Sequence, residues 1–544
     1  MTATPWGFRD ILPEEAQARE EIACTVKGCF REHHYLPVET PLLEDKGSLE
    51  EGGRIADTPF KLFDDDGRLL VVRPDNTLPI VRLVSTRMRA ADLPLRLRYE
   101  APVVREYQRN AGGSRQFTQL GFELIGAGDA AGDVEIVSLV AEAVRKLALP
   151  DARIIAGSVR PFKELLAACE DRELAAEALR CVHANDFVGL DARVAASTES
   201  DAVKAAISEL PRLHGGPEVL DRVDALLEAA GIVAPLTREL RALVEGLAPE
   251  DAQVLSFDFS IMNSFDYYTG LVFKAYAGGL PDPVGSGGRY DSIFTGAFGD
   301  GIEVPAAGFA FSLERLEAAR TSAEDAAPDG DHAAGRGAEG PLRIAVPKGS
   351  LKADTLDVLE AAVGDIEFVI VRPSDAPAFV GCGGADCGIC GWDSLIEADL
   401  NLLQLVDLGY GLCTFIEAEP AWRAGQAERN YARRGSLRVA TKYPRIASAW
   451  YAERGVNADI VSLHGNIELG PIVGMTDRIV DITATGATLR DNDLVITGRI
   501  MDCTARFFVN PGAARLDPRV RNLADRLAAA VKDKHFEPVA GSAQ

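Results

Sequence analysis

The sequence predicts two domains of different class: an α+β domain built on an antiparallel sheet, followed by an α/β domain. Before residue 321, strand patterns occur in two groups, separated by a long helical stretch at 133–250. After residue 341, short apolar runs alternate with helices, as in an α/β sheet. Residues 321–340 between these parts contain no aromatic or branched apolar side chain, so they cannot bury enough surface to fold. We therefore predict domains at 1–320 and 342–535 and a disordered linker at 321–341.

The apolar spacing places the elements of the first domain. Residues 16–31 carry the periodicity of a helix. Strands are predicted at 69–72, 95–99, 254–259 and 271–275. The segment after Gly308 is predicted to be a strand that leads into a helix at 313–320.

The second domain is predicted to alternate strands with helices such as 351–363 and 446–454. Its strands are predicted at 342–346, 368–371, 401–406, 437–440, 460–463 and 479–482. Because such sheets bind ligands in the loops at the ends of their strands, we expect the functional site there.

Composition excludes several classes of function. The net charge of -25 argues against a broad nucleic-acid surface, which needs clustered Lys and Arg. No apolar run approaches the length of a membrane span, and the N-terminus lacks the features of a secretory signal. The nine cysteines suit a reducing compartment. We expect a soluble cytoplasmic protein with neither nucleic-acid nor membrane partners.

The segment VDITATGATL (480–489) predicts a phosphoribose-binding loop. Asp481 ends an apolar strand, where its carboxylate can accept hydrogen bonds from ribose hydroxyls. The loop that follows is made of small residues: Thr483, Ala484, Thr485, Gly486, Ala487 and Thr488. Small side chains let backbone N–H groups approach a phosphate, and a following helix adds partial positive charge. A plain strand–turn–helix is the alternative interpretation.

Two further segments add charged groups at strand ends. Glu468 follows the predicted strand 460–463, so two carboxylates on adjacent loops can hold a ribose and stabilise positive charge on its ring. The alternative is an acid in the first turn of a helix. Lys348 and Gly349 join the first strand to the first helix and suit a pyrophosphate, although a solvated lysine in a turn is the commoner case.

Taken in order, these segments resemble the short form of ATP phosphoribosyltransferase, the first enzyme of histidine biosynthesis. The resemblance covers residues 342–534 and rests on RIAVPKGSL, RPSDAP, GADCGICGWD, LRVATKYP, GNIEL and DITATGATL. It implies a two-lobed domain similar to periplasmic binding proteins. The implied reaction is attack by N1 of ATP on 5-phosphoribosyl 1-pyrophosphate. Mg²⁺ would accompany the pyrophosphate, with no protein side chain as a metal ligand.

The resemblance also implies roles for individual residues. Glu468 and Asp481 would hold the ribose, and Lys348 would lie on the pyrophosphate side. The other implied substrate-binding residues are Gly349, Arg372, Asp386, Thr483, Thr485, Gly486, Ala487 and Thr488. Ser350 and Thr414 depart from the family, in which a basic residue is frequent at both positions.

The first 320 residues resemble the catalytic core of class II histidyl-tRNA synthetases. The matching segments are GFRDILP, PVETP, RPDNT, RQFTQ, FDYYTG, GRYD and GFAFSLERL. Asn263, however, stands where those enzymes have the Arg that activates the amino acid, and an amide cannot supply that charge. In the second class motif, Arg105 is followed by Glu106-Tyr107-Gln108 rather than by x-Glu-Arg, and the linker stands in place of the anticodon-binding domain. The resemblance that remains is to the regulatory subunit of ATP phosphoribosyltransferase.

This second resemblance implies a site for histidine as feedback inhibitor. Its residues would be Asp75, Thr77, Arg105, Gln119, Glu123, Tyr267 and Tyr268. The alternative is that they persist as hydrogen-bonded core polar groups. For the whole chain, a histidine–tRNA ligase and a non-enzymatic solute-binding module are the competing hypotheses. The expected partners are ATP, 5-phosphoribosyl 1-pyrophosphate, histidine and further copies of the chain in a homo-oligomer.

Four cysteines raise one more hypothesis. Cys382, Cys387 and Cys390 reproduce an iron–sulfur spacing, with Cys413 as a fourth candidate. Because Cys387 and Cys390 fall on small or apolar positions of a βα segment, we disfavour a cluster.

Overall fold

A computed structural model describes residues 3–51, 60–89, 92–106, 114–128, 130–261, 268–294, 304–325, 340–349, 351–360, 366–483 and 486–532. The chain forms two compact units, Met1–Gly340 with Pro511–Asp517 and Pro341–Asn510 with Pro518–Gln544. Within the described ranges, no helix is long and apolar enough to cross a membrane.

The first unit is built on an antiparallel sheet, as predicted. Its described strands are β1 (Leu36–Pro37), β2 (Leu43–Asp45), β3 (Lys61–Phe63), β4 (Leu69–Val72), β5 (Leu95–Val104), β6 (Gln116–Ile125), β7 (Arg153–Ser158), β8 (His214–Gly215), β9 (Leu255–Asp258), β10 (Leu271–Tyr276), β11 (Gly285–Arg289) and β12 (Ala306–Ser312). Nine of them form one sheet in the order β1-β5-β6-β12-β11-β10-β7-β9-β8, and β2-β4-β3 form a second. Within the large sheet, the pairs β1/β5 and β7/β9 are parallel and the others are antiparallel.

Helices cover this sheet. They are α1 (Pro13–Glu32), α2 (Lys46–Glu51), α3 (Thr77–Arg87), α4 (Ala130–Lys146), α5 (Arg160–Ala168), α6 (Arg172–His183), α7 (Phe187–Ala196), α8 (Asp201–Glu209), α9 (Val219–Ala229), α10 (Arg238–Gly246), α11 (Pro249–Ala252) and α12 (Leu313–Asp325). In α1, a proline at the first position starts the helix, and Ile22, Val26 and Phe30 form a buried stripe at four-residue spacing. The Phe30 ring meets Phe122 of β6 edge to face, 5.1 Å between centroids, so α1 is fixed on the sheet.

The first unit contains several elements that the sequence analysis did not predict. The stretch 133–250 is mainly helical but contains the short strand β8 and β7, a buried strand between β10 and β9. Strands β1, β2, β3, β6 and β11 were also not predicted. Helix α12 continues through Asp325, five residues into the predicted linker, because the Ala and Glu residues there are good helix formers. The rest of that linker, 326–339, lies outside the described residues.

The second unit consists of two lobes, each with its own sheet. The strands are β13 (Leu342–Pro347), β14 (Ile366–Val371), β15 (Cys387–Gly391), β16 (Leu403–Asp407), β17 (Cys413–Pro420), β18 (Leu437–Thr441), β19 (Ala458–Ser462), β20 (Arg478–Thr483), β21 (Leu494–Cys503) and β22 (Ala505–Val509). The first lobe has the order β14-β13-β15-β22-β16 and the second β19-β18-β20-β17-β21. This two-lobed α/β architecture confirms the predicted fold class.

The helices of the second half of the chain are α13 (Lys352–Glu360), α14 (Ala376–Gly381), α15 (Trp392–Ala398), α16 (Gln426–Arg434), α17 (Pro444–Glu453), α18 (Leu469–Ile472), α19 (Ala487–Asp491), α20 (Pro511–Leu516) and α21 (Pro518–Lys532). Of these, α20 belongs to the first unit.

Each lobe contains three parallel strands whose carboxyl ends meet at one edge. In the first lobe these are β14, β13 and β15, and in the second β19, β18 and β20. In an α/β sheet, ligands bind at such edges. The six predicted strands all form, whereas β15, β17, β21 and β22 were not predicted.

Candidate functional site

The carboxyl edge of the first lobe carries two cations on neighbouring strands. Lys348 directly follows β13 and Arg372 directly follows β14. The backbone N–H of Lys348 donates to the carbonyl of Val371 over 2.8 Å, which ties the two strand ends together. Both side chains are exposed, as is Gly349, where φ is +92°. A phosphate at this edge would therefore meet two positive groups and a backbone without a side chain.

Two aspartates flank β15: the predicted Asp386 precedes it and Asp393 follows it. Asp386 precedes β15, and its carboxylate accepts from the backbone N–H of Arg343 at the start of β13 (2.9 Å). It therefore lies at the amino edge of the parallel strands, away from Lys348. Asp393 follows the other end of β15, and burial raises its pKa while Lys442 opposes the shift.

The carboxyl edge of the second lobe gathers Lys442, Glu468 and Asp481. Lys442 follows β18, whose last residue is in register with Ser462 of β19 and with Val480 of β20. Burial raises the pKa of Asp481, and the Glu468 carboxylate adds to this shift. The Ile482 N–H, which donates to Asp481 over 2.8 Å, and the Lys442 ammonium oppose it. The two predicted carboxylates therefore act on each other, with a cation that the sequence analysis did not assign.

The described residues of the predicted phosphate loop include Thr483, the last residue of β20, and Gly486. The Thr483 hydroxyl accepts from the backbone N–H of Gly486 over 3.0 Å, and Gly486 has φ +68°, a conformation that favours glycine. Thr485 lies outside the described residues. Ala487 and Thr488 begin α19, and their side chains lie outside the described part. Gly486 therefore stands directly before the short helix α19.

Tyr443 links the two edges. Burial raises the pKa of its hydroxyl, and the carboxylates of Asp393 from the first lobe and Asp481 from the second raise it further. Lys442 acts on both of those carboxylates. Asp393 of the first lobe therefore lies near Lys442, Asp481 and Glu468 of the second, a grouping of carboxylates and a cation that suits a sugar carrying phosphate groups.

The described residues contain no group of three or more His, Cys, Asp or Glu side chains that could hold a metal ion. Of the cysteines with iron–sulfur spacing, Cys387 and Cys390 are buried in β15 and Cys382 is exposed. Cys413 lies on β17, directly opposite Cys503 of β21.

The first unit holds a separate polar pocket inside its antiparallel sheet. It is lined by Asp75, Thr77, Arg105, Gln119, Tyr268, Ser286, Gly287, Tyr290, Gly308, Phe309 and Ala310. Five of the seven residues predicted for histidine are among them, and Tyr267 and Asn263 lie outside the described residues. Gly308 is required here, because a Cβ would lie 1.7 Å from a carboxylate oxygen of Glu123.

Glu123 lies beneath this pocket and is 1% exposed. Its carboxylate accepts hydrogen bonds from Thr77 (3.0 Å), Tyr99 (3.4 Å) and Tyr290. Burial raises its pKa to about 7, and the three hydroxyls oppose the shift. Tyr99 and Tyr290 were not assigned by sequence reasoning. The GRYD segment was a signal for Tyr290, whereas Tyr99 only alternated within a strand.

Arg105 and Asp75 form the charged side of the pocket. Burial raises the pKa of Asp75 and the Arg105 guanidinium opposes it. Arg105 donates to the carbonyl of Pro74 over 2.7 Å and lies over the Phe117 ring at 5.1 Å. Gln119 accepts from the Asn76 amide over 2.8 Å. Carboxylates, an amide and tyrosines in one enclosed site can bind a small zwitterion that carries a further polar ring.

Comparison with known proteins assigns each half. The family model for histidyl-tRNA synthetase matches residues 7–316 and that for ATP phosphoribosyltransferase matches residues 372–529. An ATP phosphoribosyltransferase regulatory subunit of Moorella thermoacetica is 38% identical over 58% of this chain and 81% of its own length. An ATP phosphoribosyltransferase of Rubrobacter xylanophilus is 46% identical over 32% of this chain and 89% of its own length.

A crystal structure described as an ATP phosphoribosyltransferase regulatory subunit/histidyl-tRNA synthetase from Bacillus halodurans is similar to the chain, with a TM-score of 0.53 and 29% identity. The likeness covers 68% of this chain and 93% of the other.

Proposed function

The chain belongs to the histidyl-tRNA synthetase family through residues 7–316 and to the ATP phosphoribosyltransferase family through residues 372–529, so it is an ATP phosphoribosyltransferase fused to a regulatory half. We propose which of its residues serve catalysis and which serve regulation. In this proposal the two-lobed unit transfers phosphoribose to ATP in the first step of histidine biosynthesis. The pocket of the first unit senses histidine.

The grouping of Asp393 and Asp481 around Tyr443, with Lys442 acting on both carboxylates, carries the catalytic part of the proposal. Lys348 and Arg372 would bind the pyrophosphate group of 5-phosphoribosyl 1-pyrophosphate. The segment 483–488, which follows the buried part of β20, would bind the 5-phosphate of the same substrate. The carboxylates of Glu468 and Asp481 would hold the ribose hydroxyls. Charge supports these assignments, because cations suit a pyrophosphate and carboxylates can accept hydrogen bonds from ribose hydroxyls.

The reaction then requires alignment and electrostatic stabilisation. N1 of the adenine ring attacks the anomeric carbon, and the bond from that carbon to pyrophosphate breaks, with the electron pair leaving on pyrophosphate. Positive charge develops on the ribose ring as that bond breaks, and the carboxylates of Asp481 and Glu468 would stabilise it. We propose that Mg²⁺ enters bound to the pyrophosphate, since small phosphorylated substrates commonly bring this ion with them.

The test of the catalytic proposal is formation of phosphoribosyl-ATP by the purified full-length chain from ATP, 5-phosphoribosyl 1-pyrophosphate and Mg²⁺. We expect product together with stoichiometric pyrophosphate. No product from the reduced, folded protein, with or without histidine, would contradict the proposal.

The regulatory proposal depends on Glu123 and the residues around it. Asp75 supplies a buried carboxylate for the ammonium group of histidine, and Glu123 supplies one for its imidazole. The tyrosines at 268 and 290 enclose the same space. The proposal also includes self-association, since relatives of the first half are named as a subunit, and sedimentation would measure it.

We expect Glu123→Gln to weaken inhibition by histidine about tenfold or more, because an amide offers one acceptor where a carboxylate offers two. The concentration of histidine that halves the rate is measured for each variant relative to its own uninhibited rate, together with histidine affinity by calorimetry. Glu135→Gln is the matched control. Glu135 also accepts from a tyrosine hydroxyl, that of Tyr35 at 2.8 Å, but its partners Tyr35 and Arg96 do not line the pocket. Glu123, in contrast, accepts from the lining residues Thr77 and Tyr290. Unchanged inhibition in Glu123→Gln would rule out this site.

We expect histidine affinity to increase with pH because the pKa of Glu123 is raised to about 7. At pH 6 this carboxyl is mostly protonated, and at pH 8 it is mostly an acceptor for an imidazole N–H. The ionised fraction of Glu123 rises about tenfold between pH 6 and pH 8, and this ratio sets the expected gain in histidine affinity. Histidine titrates in the same range, so the quantity to measure is the ratio of wild-type to Glu123→Gln affinity. A ratio that does not vary with pH would contradict the assignment.

A further inference from the structure

Two cysteines of the second lobe lie directly opposite each other on neighbouring strands. Cys413 of β17 is in register with Cys503 of β21 in an antiparallel pair. Side chains of such a pair lie on the same face of the sheet, with their β-carbons close together. Cys503 belongs to the buried core of this lobe, and Cys413 packs against that core. A cross-strand pair of this kind falls within the range of Cα separations that a disulfide can bridge.

The two thiols differ in exposure and in acidity. Cys413 is half-buried, whereas Cys503 is 1% exposed. A hydrogen bond between them lowers the pKa of Cys413 and raises that of Cys503. Cys413 is therefore the thiol that a small oxidant can reach from solvent, and Cys503 lies beside it in the core. These are the properties of an attacking and a resolving cysteine.

We propose that Cys413 and Cys503 form a peroxide-sensitive switch, in which a reversible cross-strand disulfide lowers the phosphoribosyltransferase activity. The effect on activity rests on the proposed role of Asp481, whereas formation of the bond does not.

The chemistry consumes one hydrogen peroxide for each disulfide. The Cys413 thiolate attacks one peroxide oxygen, the O–O bond breaks, and the product is a sulfenic acid with release of hydroxide. The Cys503 sulfur then attacks the Cys413 sulfur, and hydroxide leaves and takes up the Cys503 proton as water. Overall, two thiols are oxidised to a disulfide and one peroxide is reduced to two waters. A dithiol reductant reverses the reaction by exchange.

Closure of this disulfide would act on the ribose site through strand β17. This strand pairs with β20, with Ile416 opposite Asp481 and Thr414 opposite Thr483. Two residues after Cys413 on β17, the Phe415 ring packs edge to face on Tyr443, with centroids 4.7 Å apart. Bond formation shortens the separation of the two sulfur atoms to about 2 Å, and in this proposal β17 takes up part of that shortening by shifting against the strand that carries Asp481. Small displacements of a positioning group are costly in transfer reactions.

The test treats the reduced full-length chain with hydrogen peroxide and removes the excess with catalase. We expect peptide mapping to find Cys413 linked to Cys503, with loss of the mass of two hydrogens. Activity is expected to fall about tenfold and to recover with dithiothreitol. After the same peroxide treatment, Cys413→Ser and Cys503→Ser should not show the loss of activity that dithiothreitol reverses. Cys382→Ser, which removes an exposed cysteine of the same unit, should respond as wild type does.

Two results would overturn the switch: no linkage between these cysteines after peroxide, or a linkage with full activity. Loss of activity that persists in both Ser variants would also overturn it. Absence of transferase activity in the reduced protein would contradict the proposed function instead, and the mapping result would stand on its own.

Discussion

Asp481→Asn is expected to lower kcat/KM for phosphoribosyl transfer by about two to three orders of magnitude, which corresponds to about 3–4 kcal/mol of transition-state stabilisation. Asparagine keeps the shape of the side chain and can still accept from the Ile482 N–H. What it removes is the negative charge beside the ribose ring. Because that charge matters most as positive charge develops in the transition state, the loss should appear mainly in kcat.

Asp459→Asn is the matched control for this experiment. Asp459 lies at the start of β19 in the same sheet, where it accepts from the Ser436 hydroxyl over 2.7 Å. It is therefore at the amino edge, away from Lys442 and Glu468, and its variant should keep the wild-type rate. A normal kcat/KM in Asp481→Asn would remove the carboxylate from the proposed mechanism. Equal losses in both variants would point to damage to the sheet.

The candidate site residues that sequence alone could place lie at or near the end of a recognisable apolar strand. Lys348 follows the apolar run of β13, and Asp481 lies on β20 next to its buried residues. The direction of a parallel strand then decides which end faces the cleft. For β15 this reasoning failed, because its sequence CGICG has little bulk and was not recognised as a strand. With no strand between Asp386 and Asp393, nothing indicated which of the two lay at the cleft.

Long-range contacts explain the other residues that were missed. Lys442 follows a predicted strand, but only the register of β18 with β20 places it beside Asp481. Tyr290 donates to Glu123 across 167 positions of sequence. Such partners depend on strand pairing between distant segments, which local periodicity does not report.

Strand β17 was not predicted because two of its buried residues are acidic. Glu417 and Glu419 alternate along it as solvent-facing residues would, yet each is 5% exposed. Their partner is Arg478, at the start of β20, and the Tyr451 and Thr497 hydroxyls also donate to Glu417. The sequence could not predict a buried strand from acids whose compensating charge lies about sixty positions away.

Arg478→Met is expected to destabilise the second unit by about 3–5 kcal/mol, because it leaves two buried carboxylates without their cation. The guanidinium donates to Glu417 and to Glu419, each over 3.0 Å, and also to Glu428. These carboxylates raise the pKa of Arg478, while burial opposes them. Methionine fills a similar volume but supplies neither charge nor donor. The midpoint of unfolding in denaturant, followed by tryptophan fluorescence, should therefore shift to a lower denaturant concentration.

Tryptophan is a suitable probe because Trp392, Trp422 and Trp450 lie in the second half of the chain and only Trp6 lies in the first. Arg499→Met is the matched control, since it breaks an exposed pair with Asp502 on β21 of the same sheet and should leave the transition unchanged. Arg478 starts the strand that carries Asp481, so sub-denaturing conditions that loosen this strand should also weaken substrate binding in Arg478→Met. Wild-type stability in Arg478→Met would mean that the two acids take up protons or water instead, and the acidic strand would then need another explanation.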